Sequence, residues 1–171
     1  IARMLEEQGQ KVYYINLQKN GEIDYNQLEK LINEKTRLVS TMFVSNETGA
    51  INDINRIVNI IKSKNKRTIL HVDGVQGFCK IPISLSKTQI DLFSISAHKF
   101  HGPKGVGALY VRNKALLKPL LYGGGQEFNL RSGTENLAGI MAMVRECERI
   151  DILKNLENVR KLREQFLSNI D

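Results

Sequence analysis

Short apolar runs alternate along this chain with stretches of helical periodicity, and that alternation restricts the folds open to it. Residues 38–44, 68–72, 92–95 and 106–111 are rich in β-branched, leucine and aromatic side chains, and most are bounded by glycine, proline, asparagine or aspartate. Runs of that kind read as strands. Val12, Tyr13, Tyr14 and Ile15 have the same character and predict a further strand. Between the runs, Tyr25, Leu28, Leu31 and Ile32 recur at helical spacing behind a capping Asp24. Ile54, Ile57, Val58 and Ile61 do the same behind Asn52 or Asp53. Residues 1–9 predict an opening helix. Two helices close the chain, one with Leu137, Ile140, Met141, Val144 and Cys147 as its apolar series. The other turns Leu156, Val159, Leu162 and Phe166 inward. Strands alternating with amphipathic helices predict an α/β fold with a mainly parallel sheet between helices.

Such sheets bind ligands in the crevice beyond the carboxyl ends of their strands. Three predicted strands run into polar residues there: Asn46 after the first, Asp73 and Gln76 after the second, Ser96, His98 and Lys99 after the third. If these strands are parallel, all three groups emerge on one edge. Each residue alone has an ordinary explanation. Lys99 fits a solvated strand-to-loop turn, Asp73 an Asp-Gly turn, and Asn46 or Ser96 a cap or Asx turn. Together they suit pyridoxal phosphate. A lysine amine holds the aldehyde as a Schiff base, and a carboxylate keeps the pyridine nitrogen protonated so that the ring accepts electrons. Asn46 and Gln76 are neutral groups for the phenolic oxygen, and Ser96, His98 and Thr134 are donors for the phosphate.

Other chemistries find less support. The formal charge of +7, from 25 basic and 18 acidic side chains, is spread, with its densest cluster at Lys62, Lys64, Lys66 and Arg67. That cluster suits the carbonyl end of a helix. No aromatic and basic interleaving points to nucleic acid. No apolar run approaches the ~20 residues that span a bilayer, so the expectation is a cytoplasmic protein without a membrane partner. Cys79 and Cys147 give neither a disulfide framework nor metal spacing, and both read as packed thiols. His98 and His101 have no third ligand nearby, so no metal is expected.

Four segments carry a resemblance. Ser-Asn-Glu-Thr-Gly at 45–49, His-Val-Asp-Gly-Val-Gln at 71–76, Ser-Ile-Ser-Ala-His-Lys-Phe-His-Gly-Pro-Lys-Gly at 94–105 and Arg-Ser-Gly-Thr-Glu-Asn at 131–136 resemble cysteine desulfurases of the NifS/IscS type. These are class V aminotransferase-fold enzymes that use pyridoxal phosphate. The resemblance implies the large domain of a fold-type I transferase, with residues 1–171 as a partial cofactor-binding domain. It implies Lys99 as the Schiff-base lysine and Asp73 as partner of the pyridine nitrogen. Asn46 and Gln76 then lie near the phenolic oxygen, and Ser96 and His98 bind the phosphate. Thr134 reaches the phosphate of a second subunit, so a homodimer is implied. The implied reaction takes L-cysteine to L-alanine and leaves the sulfur as an enzyme persulfide, passed to a sulfur acceptor or scaffold protein in iron-sulfur cluster assembly.

The family's sulfur-accepting cysteine and substrate-binding arginine lie beyond the 131–134 segment, and its ring-stacking histidine and a phosphate-binding threonine lie upstream of Ile1. Neither Cys79 nor Cys147 matches the sulfur acceptor. The expectation is therefore a central portion of a desulfurase that does not turn over by itself. Two alternatives remain at this point: another class V enzyme, such as a selenocysteine lyase or an aminotransferase, and a non-catalytic interaction domain. For Thr134 the ordinary reading is a cap on a helix starting near Glu135.

Overall fold

A computed structural model describes residues 1–114 and 117–170 of the chain. Four strands form one sheet in the order β1 (Leu38–Met42), β2 (Ile69–Asp73), β3 (Leu92–Ser96), β4 (Gly107–Val111). The helices in chain order are α1 (Ala2–Glu7), α2 (Tyr25–Leu31), α3 (Ile54–Lys64), α4 (Gln126–Asn129), α5 (Leu137–Arg149) and α6 (Ile152–Leu167). The first three run parallel, with Met42 opposite Asp73 and Asp73 opposite Ser94. β4 turns back antiparallel to β3 through the glycine-bearing connection. The carboxyl ends of β1, β2 and β3 therefore lie on the same edge.

Strand alternation divides the sheet's two faces. Leu70, Val72 and Phe93 point to one side and are all but sealed from solvent. On that side α3 (Ile54–Lys64) contributes Ile54, Ile57, Val58 and Ile61, the four residues whose spacing predicted its inner face. α2 (Tyr25–Leu31) adds Tyr25 and Leu28. Asp24 and Asp53 cap these helices, accepting from Asn26 and Gln27 N–H and from Arg56 N–H respectively. The other face carries a polar row across three strands. Ser40 Oγ lies 2.8 Å from His71 Nδ1, and His71 Nε2 lies 3.2 Å from Ser94 Oγ. Burial lowers the pKa of His71, against the charge of nearby Asp73, so the ring is neutral at pH 7.

The last basic turn of α3 does more than meet its own carbonyls. Lys62 Nζ donates to Thr68 O at 2.9 Å and to Asp91 Oδ2 at 3.1 Å, and the same Asp91 oxygen accepts from Leu70 N–H. This largely enclosed ion pair ties α3 to the starts of β2 and β3.

Three sequence expectations are corrected. Residues 12–15 form no strand: their backbone joins no ladder, and only a bridge between Leu17 and Ile23 forms beside them. β-branched and aromatic composition favours an extended chain, but a strand also needs a neighbouring edge. In α5 (Leu137–Arg149) the buried side is rotated from the predicted one. Met143 is buried, with Ile140 and Cys147 packed beside it, while Leu137 and Met141 are each 68% exposed. In α6 (Ile152–Leu167) the expected inner face is open, with Val159, Leu162 and Phe166 all more than 60% exposed. The helical period reports that an apolar face exists, not what lies on it.

The glycine after Asp73 also has a different task from the one its sequence suggests. Gly74 has no positive φ; a Cβ there would sit 1.9 Å from Phe93 Cζ. The backbone passes directly over the ring. Gly74→Ala is expected to destabilise the fold by about 1–3 kcal/mol through overpacking. Urea unfolding would measure this, and an unchanged midpoint would mean that Phe93 has room to move.

Candidate cofactor site

Asp73 is the last residue of β2, and Gly74 and Gly77 let the chain leave it without lifting away from the core. Added Cβ atoms would strike Phe93 at the first and Phe43 at the second, 2.4 Å from its ring. Asp73 Oδ1 accepts from Val75 N–H at 3.0 Å, the Asx turn expected of a strand-end aspartate. Its second carboxylate oxygen has no partner among the described residues. The chain then winds helically, with Phe78 N–H to Gly74 O and Lys80 N–H to Gly77 O. Gln76 and Lys80 fall four residues apart on one side of this winding, and Lys80 Nζ donates to Gln76 Oε1 at 3.4 Å.

β3 ends at Ser96 and passes into a single 3-10 turn, Ala97–Phe100. Ala97 and Phe100 are buried against Val106 and Met143, which fixes the turn and leaves His98 exposed and Lys99 half-buried. His101 closes the turn with φ 70°. Ser96 Oγ and His98 Nδ1 lie 2.9 Å apart, so these two candidate phosphate ligands form a pair. The Lys99 amine has no hydrogen bond or ion pair among the described residues. It is felt by Lys80, whose pKa is lowered first by burial and then by the charge of Lys99.

Asp73, Gln76, Ser96, His98 and Lys99 thus occupy adjoining ends of β2 and β3. Asn46 lies four residues past the end of β1, exposed, with its amide donating to Glu47 Oε1 at 3.0 Å. Thr134 is exposed and hydrogen-bonded to none of the other candidates. It does not cap the following helix: α5 begins at Leu137, and Asn136 caps it by accepting from Gly139 N–H. The triple-glycine segment before it is tied down. Ser132 Oγ donates to Tyr122 O, and Gly133 N–H to Gln126 Oε1. Two surface grooves, one along Asn26, Glu29, Lys30 and Lys64 and one along Asn52, Ile83 and Thr88, are lined by none of these candidate residues.

All 171 residues match the family described as Aminotransferase class-V. The chain belongs to the class-V aminotransferase family. Its sequence is 41% identical over 167 residues to Cysteine desulfurase 2 of Trichormus variabilis, covering 97% of this chain and 42% of that protein. Against Cysteine desulfurase IscS of Dictyoglomus turgidum it is 39% identical over 172 residues, covering 99% and 43%. Among solved structures, a NifS-like protein superposes with a TM-score of 0.90 at 44% identity, over 97% of this chain and 46% of that one. SspA in complex with cysteine superposes at 0.82 and 37% identity, over 86% and 43%. The chain spans well under half the length of these class-V relatives.

Within this class-V chain the two thiols stay out of the strand-end group. Cys79 is buried with Cys147 beside it, and burial pushes its pKa up to about 12, with Cys147 adding to the shift. A thiol so seldom ionised is a poor nucleophile. Among the described residues no group of three histidine, cysteine or acidic side chains is placed to hold a metal, and no helix is long and apolar enough to cross a membrane. One residue of the edge escaped the sequence reading: Lys80, whose only sequence signal is its four-residue spacing from Gln76.

Proposed function

We propose that these residues form the cofactor-binding portion of a pyridoxal-phosphate-dependent cysteine desulfurase. The observation that carries this reading is the company Lys99 keeps. An unpaired amine, a carboxylate oxygen without a partner and a hydroxyl–imidazole pair stand at adjoining ends of parallel strands. That donor set fits pyridoxal phosphate, which needs an amine for its aldehyde, an anion for its pyridinium and donors for its phosphate. When bound, the cofactor supplies an electron sink for the substrate's α-carbon.

The chain's own residues supply the rest. Lys99 Nζ binds the aldehyde carbon, and Asp73 holds the proton on the ring nitrogen. Gln76 and Asn46 donate to the phenolic oxygen. Ser96 and His98 donate to the phosphate, joined by Thr134 from a second copy of the chain in a two-fold dimer. Cysteine and an enzyme thiol then give alanine and an enzyme persulfide, with no net oxidation. Neither thiol of these residues is assigned that step: Cys79 is buried and barely ionised, and Cys147 packs beside it against the core. The likeness to Cysteine desulfurase IscS favours a role in iron-sulfur assembly, and we propose that this role is cytoplasmic, with a scaffold protein as sulfur acceptor.

The test is alanine release from L-cysteine by the whole protein loaded with cofactor. Alanine should appear, with sulfide when a reductant is present. A keto acid in its place would make the protein an aminotransferase, and turnover of selenocysteine alone a lyase. Mixing Lys99→Ala with Thr134→Ala chains in the same assay tests the shared site. One heterodimer site then carries both defects and the other neither, so activity should partly return. No recovery after proven subunit exchange would mean that Thr134 serves its own chain.

A further inference from the structure

Gln76 can meet a ligand with either end of its amide, as a donor through Nε2 or as an acceptor through Oε1, and the two ends have nearly the same shape. Which end faces the site depends on what holds the other. Here the holder is Lys80. Its ammonium has three donors and no acceptor, so the amide atom it meets is Oε1, at 3.4 Å. Nothing else among the described residues hydrogen-bonds the Gln76 side chain, and its Nε2 protons are left without a protein partner.

Both residues are fixed from below. The winding from Gly74 is hydrogen-bonded through Gly77, Phe78, Lys80 and Ile81 N–H groups, and Gly77 presses on Phe43. Cys79 sits in the left-handed region, with φ 59°, directly before Lys80 and is buried in the cluster of Ala97, Phe100, Val106 and Met143. Lys80 therefore leaves a constrained backbone. The residue is exposed overall, but its hydrogen bond keeps the ammonium beside Gln76, where burial and the charge of Lys99 lower its pKa.

We propose that Lys80 is a positioning residue that fixes the Gln76 amide with Nε2 toward the site, making Gln76 a committed donor to an anionic oxygen of the bound cofactor. The inference rests on the cofactor reading above and adds to it the residue that decides the polarity of one contact. A donor at the phenolic oxygen favours that oxygen's charged form. Loss of the donor therefore raises the pH midpoint at which the bound cofactor's visible band changes.

The experiment uses the whole protein, wild type and with Lys80→Met, Lys80→Arg, Gln76→Ala and the Lys80→Met/Gln76→Ala pair. Two readouts are taken: the nitrogen-15 resonance of the Gln76 side-chain amide without cofactor, and the pH midpoint of the visible band with pyridoxal phosphate. Lys80→Met should change the Gln76 amide signal and raise the midpoint by about one unit. Lys80→Arg, which keeps charge and donors, should leave both near wild type. In the Gln76→Ala background, Lys80→Met should add no further shift, because the effect travels through the amide. An equal shift in that background would mean that Lys80 acts by its charge alone, and would overturn the proposal. So would an unchanged amide signal in Lys80→Met. If wild type binds cofactor without any visible band, the cofactor reading falls, while the amide signal still decides whether Lys80 holds Gln76.

Discussion

Lys99→Ala is expected to abolish the visible band of the bound cofactor and lower alanine production by roughly a thousandfold or more, a loss of about 4 kcal/mol in transition-state stabilisation. The reason is chemical. Ser96, His98 and Asp73 can bind an anion or a proton, but Lys99 alone among the proposed ligands offers a primary amine, the group that condenses with an aldehyde to a Schiff base. The fold should not register the change. The Lys99 amine makes no hydrogen bond among the described residues, and its turn is held by Ala97 and Phe100, both buried against Val106 and Met143. Thermal unfolding of cofactor-free wild type and variant should coincide. A Lys99→Ala protein that keeps its band and its turnover would show that another amine carries the linkage.

Asp73→Asn should do less damage than Lys99→Ala, and by a different route. The carboxylate is anchored through Oδ1 to Val75 N–H, and an asparagine oxygen can make that same contact. The turn and the passage of Gly74 over Phe93 therefore survive. What disappears is the negative charge proposed to face the ring nitrogen, without which the ring would be a weaker electron sink. A hydrogen bond to a charged group is worth about 1.5–3 kcal/mol, so turnover should fall by roughly 10- to 100-fold. Cofactor should remain attached to Lys99, which separates this defect from the previous one. Steady-state rates on the loaded whole protein measure it, and a rate equal to wild type would remove Asp73 from its role.

What could be read from residues alone follows from how local each cause is. Ile54, Ile57, Val58 and Ile61 declare the inner face of α3 because four apolar residues at one spacing have only one phase. The caps at Asp24 and Asp53 are equally local. α5 carries apolar residues at 137, 140, 141, 143, 144 and 147, which make two overlapping stripes, and contacts with Ala97, Phe100 and Val106 choose the one through Met143. That choice is tertiary and leaves no trace in spacing. The same holds for residues 12–15, extended in character but without an edge to join. Gly74 looked like a turn glycine because the ring it clears, Phe93, comes from a different strand. In the candidate site, Asp73, Ser96, His98 and Lys99 were legible because strand ends concentrate polar residues on one edge once the strands run parallel. Lys80 was not, since an exposed lysine in an irregular segment resembles every other surface lysine until its partner is seen.

The central claim is that Lys99 holds the cofactor, and trapping the linkage tests it most directly. The whole protein is incubated with pyridoxal phosphate, reduced with borohydride, digested, and the cofactor-bearing peptide identified by mass. The expected result is a single label on Lys99, within the peptide that carries Ser96 and His98. A label on Lys80 or Lys104 with Lys99 unmodified would contradict the account.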